Sequence, residues 1–329
     1  MQEISLSKKE IQNRLNALRI KPKGLEPRKY GITTKYFTEN ENKWDKRIDY
    51  EAIVRMGINN GVGEIEINKE NIFYNQHEPD LINEILANAI TKSLYPIKTH
   101  INEKGISSNE IIDHPEIIKR WHSEKNTILQ KYASDDLDEF IEVTENTFTN
   151  KSKLERNLQY DWFWNLFFHP KFINYGDRRS VETDLYLAVI PYQSPMLFSG
   201  IQKIEKIPTD YHSFQIRFQS HEKKAPKYFH PKTWNEENKV FISLNVSFDF
   251  DLYYHFPMHT VANLEVYLKN WKGEKENISR TQFSMYQQDT QVFEGMQLSN
   301  DSPFITGGLV KLPPNRWGFN NFENLENDW

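Results

Sequence analysis

The chain contains no cysteine among its 329 residues. Disulfides, thiolate metal sites and a cysteine nucleophile are thereby excluded, and the composition fits a reducing compartment. Long apolar runs are missing as well. The densest aromatic run, Trp162 to Phe168, covers seven residues and is interrupted by Asn165. A membrane-crossing helix needs about 18 apolar residues or more. The opening MQEISLSKKEIQNRLNAL has neither the apolar stretch nor the small-residue cleavage site of a secretory signal. The expectation is a cytoplasmic protein with no membrane span. Catalytic signatures are lacking too: GxSxG, Walker A, GxGxxG and HExxH patterns are all absent. No catalytic residue is assigned, and no cofactor or metal is expected. Nor is there an excess of positive charge. The 41 Lys and Arg against 46 Asp and Glu leave a net −5, which argues against a nucleic-acid partner.

What the chain has in quantity is aromatic residues, 14% of the total, within a hydrophobic content of 38% that excludes a disordered chain. They are densest in DWFWNLFFHPKFINYG, residues 161–176, where seven of sixteen are aromatic. Ser152 and Glu155 have the spacing of a capping box and predict a helix that runs into this stretch. Leu154, Leu158, Trp162 and Leu166 are four apart and form one stripe, which Phe163 and Phe167 widen. Trp164 and Phe168 fall on the other side. A helix apolar on two sides is normally buried between layers, so the block reads as a central beam. Two alternatives stay open: Trp162, Trp164 and Phe168 could line a pocket for an apolar ligand, or the block could contact another subunit. His169-Pro170 should end the helix.

Hydrophobic periodicity gives the wider organisation. Residues 1–50 read as an N-terminal helix, capped by Ser7 and Glu10, followed by an extended and mildly basic arm with twelve Lys or Arg against seven acids. Residues 51–312 form the body. Its first part, to about residue 176, holds a strand pair around the Asn60-Gly61 turn and a helix opened by Pro79. A second strand pair turns at Lys104-Gly105, and helices capped by Asp113 and Ser134 follow. After residue 176 the period changes to two. Ile242, Leu244, Val246, Phe248, Phe250 and Leu252 alternate with polar residues, and shorter copies centre on Leu187, Ile216, Leu264 and Phe283. The predicted fold class is α+β, with a curved antiparallel multi-strand sheet packed against a group of helices.

Other polar constellations are weaker. His255 and His259 flank Pro257, which disfavours a helix. In a strand their rings would lie about 13 Å apart, too far to share a metal. Asp249 and Asp251 share the polar face of the long strand and read as solvated. Arg178-Arg179 reads as a surface pair. The last residues, 313–329, differ in kind. After Pro313-Pro314, Trp317, Phe319, Phe322, Leu325 and Trp329 recur among Asn and acids. A tail so rich in exposed rings needs a surface to dock on, either the chain's own body or a partner's groove.

NIFYNQHEPDLINEIL, LYPIKTHINEKG, IIDHPEIIKRW and DWFWNLFF, in that order, resemble a group of bacterial proteins found with gene clusters for contractile, type VI-like injection machinery. The resemblance covers about residues 55–290 and implies no chemistry. Together these features predict a non-enzymatic structural, adaptor or chaperone-like component of a multiprotein assembly. Its partners would be other protein subunits, reached through the tail and the N-terminal arm, and it could itself form an oligomer. The alternative is a carrier for an apolar small molecule or lipid held between sheet and helices.

Overall fold

The computed structural model describes residues 27–38, 43–132, 135–191, 193–205, 213–232, 239–251, 255–270 and 273–288. The expected N-terminal helix, the Ser134 cap and the aromatic tail with Trp317, Phe319, Phe322, Leu325 and Trp329 lie outside the described residues. Within them, twelve strands form one antiparallel sheet. In chain order they are β1 (Arg28–Phe37), β2 (Lys46–Asn59), β3 (Val62–Tyr74), β4 (Ile97–Ile101), β5 (Ser107–Ile111), β6 (Ser180–Leu187), β7 (Met196–Ile204), β8 (Ser213–Ser220), β9 (Lys223–Lys224), β10 (Lys239–Asp251), β11 (Pro257–Lys269) and β12 (Lys275–Gln287). The spatial order is β5-β4-β3-β2-β1-β12-β11-β10-β8-β7-β6, with β9 beside β10. The sheet is open, and β5 and β6 are its two edges. Five helices accompany it in the described residues: α1 (Ile82–Leu94), α2 (His114–Lys131), α3 (Asp135–Thr149), α4 (Lys151–Leu158) and α5 (Trp162–Phe167).

Several local expectations are met for the expected reasons. Asn60 and Gly61 both take positive φ, 50° and 81°, and turn β2 into β3. Along β10, Ile242, Leu244, Val246, Phe248 and Phe250 are buried. The strand carries a register irregularity at Asp249/Phe250 where it pairs with β11, in keeping with its unusual length.

Three expectations are corrected. The supposed extended arm contains β1, which pairs with β2 on one side and β12 on the other and sits mid-sheet. Its basic residues hid it, although Tyr30 and Ile32 are buried. The chain is also not split into a helical half and a sheet half, because β1 to β5 continue the same sheet. Finally, the single helix from Ser152 is two helices. Asn150, not Ser152, caps α4 by accepting the Lys153 N–H at 3.0 Å. A new helix then starts at Asp161, whose carboxylate accepts the Phe163 N–H at 2.9 Å.

The aromatic segment crosses the helix-bearing face of the sheet. Phe167 meets Tyr30 of β1 edge-on at 6.2 Å, Trp162 meets Phe283 of β12 at 6.3 Å, and His169 stacks on Phe248 of β10 at 5.7 Å. Phe172 contacts Phe214 of β8 and Phe250 of β10. Phe163, Trp164, Leu166, Phe167 and Phe168 are all buried. Burial of each such side chain contributes about 1.5–3 kcal/mol. The block is the beam of the core.

Close packing of the strands is visible at Gly200 in β7. A Cβ there would lie 2.2 Å from the Gln219 carbonyl oxygen of β8, a backbone atom with no room to yield, whereas a Cβ at Gly57 meets nothing within 4 Å. Gly200→Ala is therefore expected to cost about 1–3 kcal/mol in a urea titration, and Gly57→Ala to stay within about 0.5 kcal/mol of the parent.

Candidate functional site

Both ends of α5 are tied down by lysines that a sequence reading would place in solvent. At the first end is Lys69 of β3. Its parity with Ile65 and Ile67 turns it to the buried face, opposite Ala52 in register. Its side chain is 8% exposed and forms an ion pair with Asp161. Its ammonium lies 4.5 Å from the ring centre of Tyr50, 5.0 Å from Tyr95 and 5.2 Å from Phe163. Rings on several sides and one carboxylate offset the loss of water around the ammonium. Tyr95 donates to the same carboxylate at 3.4 Å. Burial, then the Asp161 charge, holds the Tyr50 and Tyr95 phenols well above their usual range. Both remain hydrogen-bond donors at neutral pH.

At the second end Lys171 is fully enclosed. It donates to the carbonyls of Leu166 at 3.0 Å and Phe167 at 2.7 Å, capping the C-terminus of α5, and lies 5.1 Å from the ring centre of Phe248. A buried chain of hydrogen bonds adjoins it. Gln202 of β7 donates to the Pro170 carbonyl at 3.1 Å and to the Tyr175 hydroxyl at 2.8 Å, and Tyr175 donates to the Lys171 carbonyl at 2.5 Å. With its NH₂ so used, Gln202 offers only its oxygen to His169 Nε2, 2.6 Å away. The imidazole is therefore neutral and protonated on Nε2. Burial, reinforced by the Lys171 charge, pushes His169 down to about 3, and burial pushes Lys171 down to about 7.

The residues singled out in the sequence fall as follows. Trp162 is half-buried, and its indole N–H donates to the Ala188 carbonyl at 2.5 Å. Trp164 and Phe168 are buried against each other, ring centres 4.8 Å apart. Asp249 is not a freely solvated carboxylate, since it accepts from Gln215 at 3.2 Å and faces His259 at 3.7 Å. His255 is a buried loop residue with positive φ, 56°. No group of three or more His, Asp or Glu is arranged to hold a metal among the described residues, and no helix there is long and apolar enough to cross a membrane.

A surface cleft of about 580 Å³ lies between edge strand β5, α4 and the β6–β7 connection. One wall is β5, through Ser108, Asn109 and Glu110. A second is α4 and the turn after it, through Ser152, Glu155, Arg156, Gln159 and Tyr160. The β6–β7 connection adds Ser194 and Pro195. The first wall is a bulge. Thr99 pairs with Ile111 and Ile101 with Ser107, so three β5 residues face the single His100. Asn109 at its centre has φ 60°. Its backbone N–H donates to Ser107 Oγ at 2.8 Å, and its side-chain oxygen accepts the Trp164 indole N–H at 3.0 Å. Trp164 thus fixes a residue that lines this cleft. Sequence patterning located the β4–β5 hairpin but could not show the bulge, because Ser, Asn and Glu read equally well as an ordinary exposed strand.

The chain matches no protein-family model and no curated protein. Among solved structures, one described as lipid–protein interactions in lipovitellin is similar with a TM-score of 0.42 at 8% identity, over 79% of this chain and 25% of that one. The chain thus spans about a quarter of the lipovitellin chain. No function is transferred from so low a score.

The two buried bases make stability depend on pH. Each binds its proton more weakly in the folded chain, about 7 against 10.5 for Lys171 and about 3 against 6.5 for His169. The unfolded chain holds more protons, so stability rises with pH through both windows. Between about pH 7.5 and about pH 9.5, below the tyrosine range, unfolding free energy is expected to climb by up to about 1.4 kcal/mol per pH unit. In Lys171→Met that slope should flatten, whatever the variant's absolute stability.

Proposed function

We propose that the protein is a non-enzymatic adaptor or structural component of a bacterial multiprotein assembly, and that it works by presenting a fixed sheet surface to other protein subunits. The observation that carries this reading is an apolar patch on the sheet face away from the core, beside edge strand β6. Tyr186 is 58% exposed and pairs in register with Leu197, and Ile201 lies four residues along β7 on the same face. Their neighbours Leu185, Leu187 and Phe198 point the other way and are buried. Strand β6 ends the sheet, so one row of its backbone groups has no strand partner among the described residues. Exposed apolar side chains on a terminal strand are what a partner's extended segment adds to. Glu182 and Asp184 on the same face favour a partner with basic residues beside its apolar ones.

The burial of Trp164 and Phe168 against each other, ring centres 4.8 Å apart, also favours this reading over that of an apolar carrier. The resemblance to proteins of contractile, type VI-like gene clusters suggests the kind of assembly, and the aromatic tail, residues 313–329, is a second docking element within the proposal.

The test is affinity capture from the native host with quantitative mass spectrometry. Tyr186→Asp combined with Ile201→Asp, both at exposed positions, should remove partners recovered by the parent while leaving the unfolding temperature in place. Deletion of residues 313–329 should weaken capture without unfolding the body. Recovery of the same partners at the same level by both variants would sink the proposal.

A further inference from the structure

The cleft between β5, α4 and the β6–β7 connection goes beyond this reading, because its lining suits a small polar ligand and not a subunit surface. We propose that it is a saccharide-binding site, taking a neutral pyranose unit of a mono- or oligosaccharide.

The cleft is prepared in advance on one side. The bulge turns Ser108, Asn109 and Glu110 out of the regular strand alternation, and Asn109 is held in the left-handed region by two hydrogen bonds, one from a buried tryptophan. Asparagine adopts that conformation at little cost, so the bulge fixes the direction of this side chain without strain. With its oxygen engaged by Trp164, Asn109 presents its NH₂ to the cleft.

The opposite wall supplies polar groups that the chain leaves unused. Among the described residues the side chains of Arg156, Gln159 and Tyr160 make no hydrogen bond or ion pair. Glu155 spends one oxygen on the Ile111 N–H, 2.9 Å away, and keeps the other. Donors and acceptors therefore alternate around the space. Sugar hydroxyls need that mixture, since each both donates and accepts.

Charge narrows the class. Lys151 bridges Glu110 at 3.1 Å and Glu155 at 3.7 Å, and with Arg156 it balances the two carboxylates. A phosphate or carboxylate ligand would meet two glutamates beside Arg156, in a lining whose charges already sum to zero once Lys151 is counted. An apolar ligand would bury Arg156, Gln159 and Asn109 without partners. A neutral polyol incurs neither cost. Tyr160 and Pro195, both in its lining, offer apolar surface for the C–H face of a pyranose. The volume of about 580 Å³ lies within the usual range of about 300–1,000 Å³ for small-molecule sites.

The experiment is saturation-transfer NMR on the full chain with glucose, galactose, mannose, N-acetylglucosamine and their short oligomers. Transfer to at least one series is expected. Arg156→Ala and Tyr160→Ala should each weaken it about tenfold or more, at unchanged unfolding temperature. Ser194→Trp, which fills the cleft from an exposed loop, should abolish it independently of the other two. No transfer from any sugar at millimolar concentration overturns the assignment, as does transfer that survives all three substitutions. Displacement of the bound sugar by inorganic phosphate overturns the neutral-ligand class.

Discussion

Two lysines removed from water fix the register at the centre of this fold. An open sheet of this width offers one broad apolar face and must cover it. Across its centre the covering is the segment Asp161 to Tyr175, whose contacts run from β3 to β7. Lys69 secures its start through the carboxylate that also begins α5. Lys171 secures its middle by capping the end of the same helix. Aromatic burial supplies most of the free energy but is non-directional. The lysines, Asp161 and the Gln202 network supply the register, because a buried charge or amide is stable only where its partners are. Shift the segment by one residue and both cations lose their partners.

The same segment governs the surface beside it. Trp164 is a core residue by burial and a positioning residue by its indole N–H, which reaches Asn109 in the β5 bulge. The cleft wall thus inherits the rigidity of the core. Edge strand β5 and the β6–β7 connection both contribute to the cleft beside α4.

Much of this was legible in the amino-acid order. Period-two alternation marked β10, β11 and β8, the Asn60-Gly61 pair marked a hairpin, and spacing within DWFWNLFF marked a buried helix. The hidden parts share a physical cause. RKYGITTKYF looked like a linker because Lys29 and Lys35 face away from the core while Tyr30 and Ile32 face into it, and Gly31 lies under the Tyr286 ring of its partner strand. MLFSGIQKI concealed β7 in the same manner. Lys69 and Lys171 resemble solvated lysines until long-range pairing supplies rings and carbonyls around them. The break between α4 and α5 was invisible because the four-residue stripe runs through it. The exposed apolar patch of Tyr186, Leu197 and Ile201 is spread over two strands and exists only once they pair.

The pairing of β1 with β12 joins residues as far apart as Tyr30 and Gln287. The sheet's middle seam is thus made by the first and last of its strands. During synthesis, the unit of β1 to β5 must wait, with one flank of β1 bare, until nearly all of the chain has been made. Contacts of such sequence separation slow folding and leave a strand edge open to other chains meanwhile. The molecule is therefore zipped shut at its centre and last, and truncation just before Lys275 would leave two half-sheets, each with a raw inner edge, in place of a smaller version of the whole.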